Sequence, residues 1–121
     1  MATPDIIDVA TINGVLIAGA VSNSAHDIID VTAEHTFKVN VLAISNIHGT
    51  SDATISVSVS TDNGSNYYHL AKTVTVPADS TVYIITKDTS IYLDETDLLR
   101  VQASAANMLE YVASYETLND A

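Results

Sequence analysis

The sequence contains no cysteine and no tryptophan. The first absence excludes a disulfide framework and any thiolate metal site. The second removes the flattest ring on which sugars stack, leaving six tyrosines and one phenylalanine. With only four glycines there is no glycine-rich phosphate loop. Bases are scarce: Lys38, Lys72, Lys87 and Arg100 stand against fifteen acids, for a formal charge of −11. Such a chain is repelled by phosphate backbones and anionic lipid, so neither nucleic acid nor membrane is expected as a partner. The longest apolar run near the N-terminus, Val15 to Val21, is too short to span a bilayer. It follows acids rather than a basic stretch, so it reads as a buried strand and not as an export signal.

What is present is β-forming. The 121 residues suit one domain, 1–121, able to bury roughly two-thirds of its chain surface. Serine, threonine, valine and isoleucine abound, and helical periodicity is hard to find. Ala53 to Thr61 alternates cleanly, with Ile55, Val57 and Val59 on one face and small hydroxyls on the other. Thr36 to Ser45 sets Phe37, Val39, Val41 and Ala43 on one face. Leu42 and Ile44 lie on the other, which marks a central strand or a subunit contact. Further strands are expected at His26–Val31, Tyr67–Val76, Thr81–Thr86, Leu98–Ala103 and Met108–Tyr115. In the second of these Tyr68, Leu70, Val74 and Val76 fall together, so Tyr68 is expected to face the core and Tyr67 to face out. Asn13-Gly14, a two-residue hairpin signal, splits Ile6–Ile12 from Val15–Val21. Residues 1–20 therefore read as an N-terminal hairpin or arm. Turn chemistry punctuates the rest, as at Asp62-Asn63-Gly64 and Pro77 to Ser80. About eight short strands with regular turns predict a single antiparallel β-sandwich, jelly-roll or immunoglobulin-like in order.

Catalytic patterns are missing. His26, His35, His48 and His69 show no zinc-ligand spacing, and His26 with Asp27 and Asp30 reads more simply as exposed polar groups around a short strand. No G-x-S-x-G elbow occurs. Asp94, Glu95 and Asp97 form a loop cluster, which without an aromatic platform is better read as a solvated turn than as a glycosidase pair. Asp62-Asn63-Gly64 departs from the calcium-loop order and lacks the closing glutamate, so a turn is preferred. No enzyme and no cofactor are expected.

Four features then occur in order: a tip with paired tyrosines, "DNGSNYYHLAK"; a strand and turn, "VTVPADSTVYI"; "SIYLDETDLLRVQASAAN"; and the closing "MLEYVASYE". Together, over Thr36 to Thr117, they resemble a family of small β-sandwich structural proteins in tailed bacteriophage particles. Thr96 stands where that family usually has glycine. The resemblance implies a non-enzymatic virion protein, assembled in the host cytoplasm. The expected role is capsid decoration, as a cement protein on the outer face of the head shell. Neck, tail or fibre placement is the alternative within such a particle, and a carbohydrate-binding module is the alternative outside it. The partners implied are the major capsid protein or other virion proteins, together with further copies of the chain as a trimer or dimer. The residues expected to make such contacts are Ile6, Ile7, Val9 and Ile12 in the N-terminal segment, Leu42 and Ile44 in the long strand, and Tyr67 at the tip.

Overall fold

The computed structural model describes residues 11–119. Nine strands follow in order: β1 Thr11–Ala20, β2 His26–Asp30, β3 His35–Asn46, β4 Ala53–Ser60, β5 Tyr68–Val76, β6 Thr81–Ile85, β7 Ile91–Leu93, β8 Leu98–Ala103 and β9 Leu109–Asn119. One sheet has the order β1-β9-β3-β6, with β7 also beside β3, and the other has the order β2-β8-β4-β5. Every pairing is antiparallel. The strand missed by the sequence pattern is β7, three residues long. It shares the β3 edge with β6 and is separated from it by the 3-10 turn Lys87–Thr89.

Taken as one interrupted strand, β6 and β7 complete an eight-strand frame in two sheets of four. The chain changes sheet at every connection of this frame except β4 to β5. That order is a jelly roll rather than an immunoglobulin arrangement. The facing apolar surfaces meet in one core. Phe37, Val39, Leu42, Ile44, Ile85 and Ala113 come from the first sheet, and Ile55, Val57, Val76, Leu99 and Val101 from the second. Phe37 and Tyr115 stack with ring centroids 4.9 Å apart.

Several expectations fail for identifiable reasons. Asn13-Gly14 is not a turn: the two residues lie inside β1, opposite Thr117 and Glu116, in a register unbroken from Thr11 to Ala20. Neither has the positive φ that such a turn needs. A ten-residue ladder to β9 overrides the local preference. The hairpin reading of 1–20 therefore fails over its described half, and Ile6, Ile7 and Val9 lie outside the described residues. The run Val15–Val21 is not a buried strand either. It forms a sheet edge in which Leu16, Ala18 and Ala20 are exposed, and only Val21, just beyond β1, is fully buried.

Leu42 and Ile44 are not contact residues. Both are wholly buried. A bulge between Val39 and Val41 inserts Asn40 and reverses the strand's phase. Phe37 and Val39 point inward before it, and Leu42 and Ile44 after it, so Val41 and Ala43 turn to the outer face. The polar face of β4 is not uniformly wet, since Ser58 and Ser60 are buried. Finally, Tyr68 does not face the core: it is 67% exposed, whereas Tyr67 is half-buried. Register shifts in the β4–β5 pair, with Thr73 at φ 48°, break the phase by which a regular strand would link Tyr68 to Val74.

Candidate interaction surface

Most of the side chains that the sequence offers for chemistry are engaged in hydrogen bonds within the fold. At the β4–β5 tip, the Ser60 hydroxyl donates to Asp62 Oδ1 at 2.8 Å and accepts the Gly64 N–H at 2.8 Å. Asp62 also accepts from the Asn66 backbone and side chain at 2.9 and 2.8 Å. These Asn66 bonds, chiefly the side-chain one, hold the Asp62 carboxyl below the usual range. Asp62 is thus saturated by donors of its own loop, which is turn chemistry and not a cation cradle.

Tyr67 closes a second cluster. Its hydroxyl donates to Asp27 Oδ1 at 3.0 Å, and Arg100 Nε donates to the same oxygen at 3.1 Å. The Arg100 guanidinium lies 3.8 Å from the Tyr67 ring centroid. Desolvation, then the bond to Asp27, pushes the phenol's pKa up. One ring face is therefore covered and the hydroxyl is occupied, so Tyr67 pins the tip to β2 and β8.

The acidic loop between β7 and β8 is built the same way. Asp97 Oδ2 accepts the Asp94 N–H at 2.8 Å, and Asp94 Oδ1 accepts from Glu95 N at 2.9 Å and from the Thr36 hydroxyl at 3.3 Å. Burial raises the Asp97 pKa, partly offset by the bond from Asp94. His26 accepts from Ser22 N, and His48 Nδ1 accepts from Ser51 N. Among the described residues no three histidines or carboxylates gather as a metal site. No helix among them is long and apolar enough to cross a membrane.

Exposed apolar side chains gather on the outer face of the first sheet. Strand register puts its side chains in rows across the sheet. One row runs Ala18, Val112, Ala43, Tyr83, and the next holds Leu16, Ser114 and Val41. Leu16 is 69% exposed, Tyr83 61% and Val112 41%. Polar rows border this band. Glu110, Ser45 and Thr81 lie on one side, and Glu116 and Lys38 on the other, where Lys38 sits 6.0 Å from the Tyr92 ring centroid. An apolar band with a polar rim on a sheet face is a contact surface in composition. A shallow open depression of about 290 Å³ sits at its margin, lined by Ala18, Gly19, Ala20, Glu110, Tyr111 and Val112.

Of the expected contact residues, Ile12 lies on this outer face and is exposed. Leu16, Val41, Ala43, Tyr83 and Val112 went unrecognised. The alternation of Val82 and Ile84 against Tyr83 was a usable signal for one of them. For Val41 and Ala43 the signal was hidden by the bulge.

No family model and no curated protein sequence matches the chain. Among solved structures, a chain of the Bacillus endospore appendages, which form a family of disulfide-linked pili, is similar in fold. The TM-score is 0.52 at 14% identity, over 92% of this chain and 88% of that one.

Proposed function

We propose that this chain is a non-enzymatic structural protein of a particle, a capsid decoration protein of the tailed-phage kind. It docks by the outer face of the β1-β9-β3-β6 sheet on the head shell, with the major capsid protein as its partner. The observation that carries the reading is the exposed band of Leu16, Val112 and Tyr83 between polar rows. The polar clusters at the β4–β5 tip and in the β7–β8 loop support it, because their side chains bond within the fold and hold its loops in place. The motifs of the phage resemblance also support it: they fall on the β4–β5 tip, the β5–β6 turn, and β8 with the turn that leads into β9.

A second reading, a subunit of an extracellular appendage, is favoured by the fold shared with the pilus chain. The present 121 residues contain no cysteine, so copies of this chain would be held without disulfides. One experiment separates the two. Purified protein is added to heads of the particle concerned that lack it, and bound copies are located by electron cryomicroscopy. Decoration over the whole shell, strongly reduced by Val112→Asp, is the expected result. Density at one vertex or along the tail would favour the neck, tail or fibre placement. Filaments of the protein alone, with bare heads, would favour the appendage.

A further inference from the structure

The four sheet edges are not alike. On β2 the edge is five residues long, carries Asp27 and Asp30, and is interrupted by a register shift. On β5 the edge carries Lys72 and is broken by register shifts around Thr73. The β6–β7 edge is split by a turn bearing Lys87 and Asp88. Short length, charge and bulges are the usual devices that stop an edge from pairing with another chain. β1 has none of them. Its ten residues, Thr11-Ile-Asn-Gly-Val-Leu-Ile-Ala-Gly-Ala20, contain no charge, no proline and no register shift, and no described strand lies on its far side.

Hydrogen-bond alternation fixes which groups that edge presents. The Val21 N–H donates to Leu109 O at 2.9 Å, in the register that continues β1 against β9. In an antiparallel ladder bonded and non-bonded pairs alternate, so odd-numbered residues of β1 bond β9. The N–H and C=O of Ile12, Gly14, Leu16, Ala18 and Ala20 therefore point away from the sheet.

We infer that β1 is a self-pairing edge, joining two copies of this chain antiparallel about a two-fold axis at Leu16. The occupant is a second copy for two reasons. An antiparallel edge is self-complementary under a two-fold, so one surface serves both sides. In addition, each molecule carries a formal charge of −11, and β1 is a long stretch where two copies approach without placing charged side chains opposite one another. An axis at Leu16 pairs Ile12 with Ala20, Gly14 with Ala18 and Leu16 with its own copy, so all five outward-pointing residues are used. Centring on Val15 would set Ala20 opposite residue 10, outside the described residues, whereas the axis at Leu16 keeps every pair within β1. The small side chains of Gly14, Ala18 and Ala20 flank the two leucines and leave them room. The inference deepens the structural-protein reading and rests on it only for the biological need to self-associate. It uses the edge of the sheet, whereas shell docking uses the face.

Cysteine cross-linking in the full chain tests it, against a background free of native thiols. Bonded antiparallel partners have Cα atoms about 5.5 Å apart, within reach of a disulfide. Leu16→Cys should give a covalent dimer on mild oxidation. Ile12→Cys should not, because its two copies would lie about 27 Å apart at 3.4 Å per residue. Ala18→Pro removes an outward N–H without touching the ladder to β9. With the circular dichroism spectrum unchanged, it should abolish the cross-link of Leu16→Cys and shift sedimentation to monomer. If Ala18→Pro fails to fold, the contrast between the two cysteine variants still decides. Wild-type protein that sediments as a monomer at high concentration overturns the inference, as does Ile12→Cys cross-linking as readily as Leu16→Cys. Val112→Asp, which lies off the edge, should keep the dimer while losing the shell, so the two readings fail separately.

Discussion

At the scale of single residues, the sharpest division is between Leu42 and Leu16. Both sit in apolar runs of strand-forming sequence, yet one is wholly buried and the other mostly open to water. Leu42→Ala should therefore lower unfolding free energy by about 2–5 kcal/mol, the usual range for a leucine truncated in a core. Urea unfolding measures this, and a change near zero would mean that Leu42 is not in the core. The difference was only partly visible in the sequence. In Val39-Asn40-Val41-Leu42 the apolar positions change parity, and that change is the trace of the bulge at Asn40. Counted without a bulge, the same letters read as a two-faced strand. Tyr67 and Tyr68 were exchanged for the same reason, since the irregularities of β5 have no distinct residue signature.

Among the elements, the β4–β5 hairpin was the most legible. Clean alternation in β4, then Asp62-Asn63-Gly64, specified a strand and a reversal, and both are present. Gly64 has φ +92°, and a Cβ there would meet Tyr67 Oη at 3.3 Å and Leu98 Cδ1 at 3.4 Å. Gly64→Ala is accordingly expected to destabilise the fold by about 1 kcal/mol or somewhat more, read as a lowered melting temperature. No change in melting would show that the tip relaxes freely. β1 was the least legible element. Its turn-like Asn13-Gly14 and its solid apolar run pointed to a hairpin and a buried strand, while its true setting depends on β9, about a hundred residues later in the chain. The outer-face band is likewise a property of four strands in register and cannot be read from one of them.

At the scale of the whole molecule, composition and strand count were enough for a single β-sandwich, but not for its order. Turn signals report reversals, and a jelly roll makes most of its connections by crossing between sheets. Net charge gives the prediction proper to this scale. With −11 on each copy, association through an uncharged strand is opposed by long-range repulsion that salt screens. Raising sodium chloride from about 0.01 M to 0.15 M shortens the screening length from about 30 Å to 8 Å. The dimer should strengthen over that range in sedimentation equilibrium, and weakening would indicate ionic contacts instead. The pairing of β1 with β9 also has a consequence in time. On the ribosome β1 emerges early and its partner late, with the other strands in between. Until Asn119 has left the exit tunnel, β1 lacks its complete ladder to β9 and has no single defined free edge. Synthesis itself thus delays the moment at which one molecule can recognise another.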